Sequence, residues 1–313
     1  MIRAHAGRTC VAVATLWLGS ASDRPVYAQG SAEYAGGSIN LGARGAIALP
    51  SPPATAQDRP ESAVEFSFRA GVASDYIYRG VTLSAHGPTA GAAFEAAFGM
   101  FYAGGTVASV TLPSRPAAEM SFVGGVRPKL GNVQFDFGVT SYIYPNETPP
   151  IGAAKGIDYW EAMARGDTTL GELLRVAGGF AWSPNVSNTG AWSEYAAVGM
   201  GFDLPGKVLP SEVSASVTGG VGYSWFGNQS AALGGFPIPA YVNWNGGITF
   251  THKNLNLDLR YSDTNLSKEN CFVFTGDLAA TPGGQINPLT NPQGLVSNWC
   301  SATFVAKFSF SLN

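Results

Sequence analysis

The sequence predicts an all-β fold: a single antiparallel transmembrane β-barrel of about twelve strands in up-and-down order. Three observations lead there. Charged residues are 12% of the 313, about half the ~25% usual in soluble domains, which need charge to cover their surface. Glycine numbers 40 and aromatics reach 12%, yet mean hydropathy is only +0.07 and no apolar run approaches the ~18 residues of a membrane helix. Finally, from Glu61 onward apolar and small polar residues alternate with period two, the pattern of strands facing lipid on one side and a confined interior on the other.

The N-terminus reads as a secretory signal over residues 1–28, with Arg3, His5 and Arg8 before the short apolar stretch Val11 to Gly19. Cleavage could follow Ala28 or Ala21. Loss of residues 1–28 removes three basic residues and one acid, so the mature chain is more acidic than the formal −3 of the whole. No basic patch suits nucleic acid. Residues 29–61, rich in Gly, Ala and Pro with Pro50-Ser51-Pro52-Pro53, read as a flexible linker. The barrel is expected over residues 62–313.

The first strand sets the logic. Phe66, Phe68, Ala70, Val72, Tyr76 and Tyr78 share the apolar face, and Glu65, Ser67, Arg69, Gly71, Ala73 and Asp75 the other. Eleven further segments follow, near 89–99, 101–112, 118–129, 132–144, 157–166, 172–183, 191–203, 212–226, 240–252, 255–263 and 301–312, the first running 64–78. A two-residue turn at Lys253-Asn254 would set His252 opposite Leu255, so that Ile248 and Phe250 share a face with Leu257 and Leu259. Connections after odd-numbered strands are mostly longer, ending with the largest at Thr264–Cys300. Short periplasmic turns and long external loops are the outer-membrane pattern. Glu194 falls on the apolar face near a strand end: either it snorkels at the interface or the register there is shifted.

By parity the inward set is Arg69, Arg79, Arg127, Arg165, Arg175, Arg260 and Lys307 against Glu65, Asp75, Glu95, Glu119, Asp136, Glu161, Asp203 and Asp258. Charges inside a membrane must be paired or wet. They therefore line a water-filled path, or pair across strands and brace the barrel. No cofactor, metal site or catalytic residue is expected: no Cys/His cluster has zinc spacing, and no glycine pattern precedes a helix as phosphate binding requires. His86 reads as a solvated loop residue, since a triad built on it would need Asp75 or Asp263 to approach. With Cys10 in the signal, Cys271 and Cys300 remain as an even pair in an oxidising compartment and are expected to be joined, the alternative being two buried thiols.

The run Ser74-Asp75-Tyr76-Ile77-Tyr78-Arg79-Gly80-Val81 resembles the opening strand of the TorF-like porins, a proteobacterial family of unknown function. Weaker matches follow in order at Gly99-Met100-Phe101-Tyr102, Asp136-Phe137-Gly138-Val139, Asp158-Tyr159-Trp160-Glu161, Ser183-Pro184 and Asp263-Thr264-Asn265-Leu266. The resemblance covers residues 62–313 and implies an outer-membrane barrel acting as a porin. It supplies no catalytic or ligand residues. The chain departs from it in ending Phe310-Ser311-Leu312-Asn313 rather than on an aromatic. The expectation is a porin passing small solutes through the cell outer membrane, surrounded by lipid and inserted by the barrel-assembly machinery. The alternatives are a closed barrel whose loops bind a partner, and an enzyme dependent on His86.

Overall fold

The computed structural model describes residues 64–148, 156–171, 173–204, 209–210, 212–277 and 296–312. The expected signal, the linker and the middle of the last loop lie outside these residues.

Among them, twelve long strands form one sheet. They are β1 (Glu65–Ala73), β2 (Thr89–Phe98), β3 (Phe101–Ala108), β4 (Glu119–Val126), β5 (Val133–Ile143), β6 (Tyr159–Leu170), β7 (Leu174–Ser183), β8 (Ser193–Asp203), β9 (Val213–Phe226), β10 (Tyr241–His252), β11 (Leu255–Thr264) and β12 (Thr303–Leu312). A two-residue piece, Lys129–Leu130, extends β4. Every strand pairs antiparallel with its sequence neighbours, and β1 pairs with β12 from Phe68↔Leu312 to Ala73↔Lys307. The sheet is a closed barrel. Closure leaves no edge whose backbone groups would be stranded in lipid.

The alternation decides which face is which. Phe66, Val198 and Phe304 are 72%, 60% and 79% exposed on the outside. Inside, the same strands present Arg69, Tyr195 and Val305, all buried. The His252↔Leu255 pairing closes the Lys253-Asn254 turn as expected, with Lys253 at φ 53°. Glu194 keeps its register: it lies between Trp182 and Trp225 on the outer face, where an aromatic belt marks a membrane–water boundary. The register does not slip there.

One end of the barrel carries short turns, and the other carries the longer loops. At the loop end the structure corrects the first strand. It stops at Ala73 instead of running to residue 78. Ser74 makes the last wall contacts, its N–H donating to the Ala306 carbonyl and its Oγ accepting from the Ala306 N–H, both at 3.0 Å. The chain then turns inward. Ile77 pairs with Thr82 and Tyr78 with Val81 around an Arg79-Gly80 turn at φ 49° and 83°. Glycine is required here, because a Cβ at Gly80 would lie 2.3 Å from Thr264 Cγ2. Tyr76 and Tyr78, expected to face lipid, are therefore interior, Tyr76 being 1% exposed. Alternation alone could not foretell this. A hairpin has the same period as the strand it interrupts.

The loop end holds the apolar packing. Tyr76, Ile77 and Leu83 of the hairpin pack with Ala73, Ala108 and Val305. Val81 packs with Tyr241, Trp299 and the two cysteines. After β11, a short helix α1 (Lys268–Thr275) is capped by Ser267, whose Oγ accepts from the Asn270 N–H. Cys271 of α1 is bonded to Cys300, with Cα atoms 5.8 Å apart. The bridge pins α1 to the chain entering β12, and the Trp299 carbonyl there accepts from the Thr82 N–H at 2.9 Å.

The two faces should respond differently to charge. Val217→Arg, on the outer face, is expected to cost ~2–4 kcal/mol of folding stability if it sits near mid-bilayer. Ser216→Arg, on the inner face, should be tolerated far better. Denaturant unfolding of the two variants in lipid vesicles measures the difference, and equal losses would invert the assignment of faces.

Candidate functional site

The inner face concentrates the charges of the chain, and the strands sort them into three groups. At the turn end, Arg127 follows β4 and reaches Glu95 of β2 with both Nη atoms. Its Nε donates to Asp136 Oδ2 of β5 at 3.2 Å, and its guanidinium carbon lies 3.7 Å over the Tyr102 ring. The Tyr102 hydroxyl completes the group by donating to Asp136 Oδ1 at 2.7 Å. Nearby, Arg175 of β7 donates to Asp203 of β8 at 2.7 Å.

Further up the wall, Arg260 and Asp258 lie two residues apart on β11 and form a buried pair, Nη2 to Oδ2 at 3.0 Å. Arg260 also donates to Asn245 Oδ1 and Thr218 Oγ1, and Thr249 donates to Asp258. Lys307 stands directly opposite Asp258 in register. Arg69 on β1 and Arg165 on β6 are buried on the same inner face, Arg165 approaching Asp167 at 4.0 Å. Hydrogen-bonded pairing is what buried charges demand.

The third group, at the loop end, is built by the inward hairpin. Arg79 clamps Glu161 of β6 in bidentate fashion, Nη1 to Oε1 at 3.1 Å and Nη2 to Oε2 at 3.0 Å. Its guanidinium lies 4.2 Å over Tyr195 and 4.6 Å over Tyr78. Glu161 also accepts from the Tyr78 and Tyr142 hydroxyls. Glu119 of β4 accepts from Tyr76 at 2.8 Å and Tyr144 at 2.9 Å. Asp75 accepts from the Thr82 and Ser84 hydroxyls on one oxygen and contacts His86 Nδ1 at 2.8 Å with the other.

Asp75 and Arg79 are thus inner residues, but they belong to the hairpin and not to the wall. Sequence reasoning missed the ring of inward tyrosines, Tyr76, Tyr142, Tyr144, Tyr159, Tyr195 and Tyr241. It also placed His86 in solvent. The signal was present in Asp75, Thr82, Ser84 and His86, whose spacing lets one carboxylate gather several donors across a tight turn. Asp75 does approach His86, as a triad would require. The other ring nitrogen, however, faces the Asn298 carbonyl at 3.0 Å instead of a nucleophilic hydroxyl. Among the described residues no three His, Cys, Asp or Glu side chains group to hold a metal.

This is a membrane-spanning β-barrel of the outer-membrane type, apolar outside and charged within. The chain belongs to the Gcw_chp family, bacterial proteins of unknown function, whose pattern matches residues 57–281. No curated protein matches its sequence. Among solved structures it is similar to a KdgM porin, at 7% identity over 80% of this chain and 100% of that one with a TM-score of 0.42. It is also similar to the NanC porin, at 8% identity over 79% and 100% with a TM-score of 0.43. A third likeness is to LpxR from Salmonella typhimurium, at 8% identity over 79% and 99% with a TM-score of 0.38. Values this low carry no function across.

His86 yields a pH dependence. Both of its ring nitrogens face acceptors, so the imidazolium fits the site best. The bond to the Asp75 carboxylate, helped by the Asn298 carbonyl, holds its pKa above the ordinary value against the opposing effect of burial, and Asp277 adds to the rise. A raised value adds stability that is complete below the unfolded pKa of ~6.5 and is lost as pH climbs through the folded value. Wild type should therefore exceed His86→Gln in melting temperature at pH 6, and the gap should shrink by pH 9. A gap independent of pH would mean that His86 is not held as the cation.

Proposed function

We propose that the protein is a narrow porin of the bacterial outer membrane, passing small polar solutes by diffusion. The observation that carries this reading is the inner face. Charged and hydroxyl side chains run along it from Arg127 and Arg175 at the turn end to Glu119 and Glu161 at the loop end. A charged lining suits water and ions in a confined field. The resemblance to the TorF-like porins supports the same reading, and so does the alternation of short turns and long loops, which would set the loop end outward and the first and last strands' free chain ends in the periplasm.

In this reading the surroundings are outer-membrane lipid, the cargo is small solutes, and the barrel-assembly machinery inserts the chain after its signal is removed. No cofactor takes part and no catalysis is assigned. The inward hairpin makes the loop end the constriction. A second reading, a closed surface barrel, draws on the same hairpin and on the burial of Arg69, Arg165, Arg260 and Lys307, each at most 7% exposed.

Planar-bilayer recording of the refolded protein separates the two. The porin reading expects small, discrete conductance steps. It also expects Arg69→Gln with Arg165→Gln to shift ion selectivity towards cations, more strongly at low salt, where screening is weaker. Folded protein that never conducts, and still does not when residues 75–84 are replaced by a short Gly/Ser turn, would leave the closed barrel.

A further inference from the structure

Arg79 is held in a manner unlike the other inner arginines. Arg127, Arg175 and Arg260 lie on wall strands or directly beside them and bond to groups of the wall itself, Arg127 and Arg175 to carboxylates of the next strand and Arg260 to Asp258 of its own strand and Asn245 of the neighbouring one. Arg79 comes from the tip of a loop hairpin and inserts into a pocket whose other parts are mostly wall. Glu161 of β6 supplies the paired carboxylate oxygens. Tyr195 of β8 supplies an aromatic plate under the guanidinium plane. The wall fixes these parts without the hairpin. The Tyr195 hydroxyl bonds to Asn243, and its ring occupies the space over Gly222, where a Cβ would fall 2.1 Å from the tyrosine oxygen. Tyr142, which donates to Glu161, stacks on Tyr159 at 4.7 Å.

A carboxylate facing an aromatic plate recognises a planar cation that can donate two parallel hydrogen bonds. A compact ammonium can sit over the ring, but it lacks the two coplanar, parallel N–H donors that match both carboxylate oxygens while the cation lies flat on the plate. A metal ion offers no donors at all. The backbone that delivers Arg79 is also strained: Arg79, Ala85 and His86 have φ of 49°, 53° and 59°, a conformation costly for residues with a Cβ and found where segments clamp or switch. We propose that the Glu161–Tyr195–Tyr142 pocket is a binding site for guanidinium-type organic cations, and that Arg79 is its tethered internal occupant. This deepens the porin reading by naming a class of solute. Such a solute enters by displacing Arg79 and, with it, the hairpin that fills the mouth.

The test is chemical rescue. Arg79→Ala, refolded in detergent, is titrated calorimetrically with ethylguanidinium, using ethylammonium as the equal-charge control. A tethered group competes at an effective concentration in the millimolar range, so removing it should tighten ethylguanidinium binding by roughly tenfold or more over wild type. Ethylammonium should bind much more weakly, and Arg79→Ala with Glu161→Gln should bind neither. Equal binding of the two cations, binding that survives Glu161→Gln, or no saturable binding to Arg79→Ala would each overturn the site. Should Arg79→Ala fold poorly because Glu161 is left buried and alone, its refolding yield in ethylguanidinium against ethylammonium makes the same comparison. The double variant, free of that orphan charge, serves as the folded reference. Bilayer conductance of Arg79→Ala tests the pore separately. Binding without conduction would overturn passage and keep the site, and conduction without binding would do the reverse.

Discussion

The whole structure depends on one constraint: within a bilayer no backbone N–H or carbonyl can be left without a partner. A sheet meets it only by closing. The pairing of β1 with β12, from Phe68↔Leu312 to Ala73↔Lys307, is the closure, and it ties the first described strand to the last across more than two hundred residues. Closure also forces the composition. The outer face must be apolar, so the sequence's charges are driven to the inside or to the ends, which is why so few suffice.

An interior holding that many charges in low dielectric has to arrange them, because an unpaired buried ion costs several kcal/mol. The strands do this by register. Positions remote in sequence, such as Arg127, Glu95 and Asp136, become neighbours because β2, β4 and β5 point them at one volume. The Arg127 and Arg79 groups share a chemistry of carboxylate, guanidinium and tyrosine face. They differ in where the arginine is anchored. Arg127 belongs to the wall and braces it, whereas Arg79 is carried in by a loop. That difference makes one a fixed element and the other an exchangeable one.

The loop end is a second, smaller fold inside the first. The disulfide fixes α1 to the approach of β12, the Trp299 carbonyl and Asn298 carbonyl reach Thr82 and His86, and Asp75 gathers the hydroxyls that keep the hairpin tight. The Leu83 carbonyl accepts from the Thr111 N–H and links the next loop. These contacts join three loops that would otherwise be separate, at the loop end of the barrel.

The sequence by itself determined the barrel. Period-two alternation, low charge and loop lengths are local properties, and they mark the twelve strands, the inner set of charges and the Lys253-Asn254 register. The cysteine pair was legible because only two remain beyond the expected signal. Alternation was silent where the chain leaves the wall, since Tyr76 and Tyr78 carry the same period in a hairpin as in a strand. What turned them inward is the meeting of Asp75 with Thr82, Ser84 and His86, and of Arg79 with Glu161, 82 residues further along. Whether that carboxylate stands where Arg79 can reach it depends on the register and closure of every strand between. Only the tertiary structure decides it.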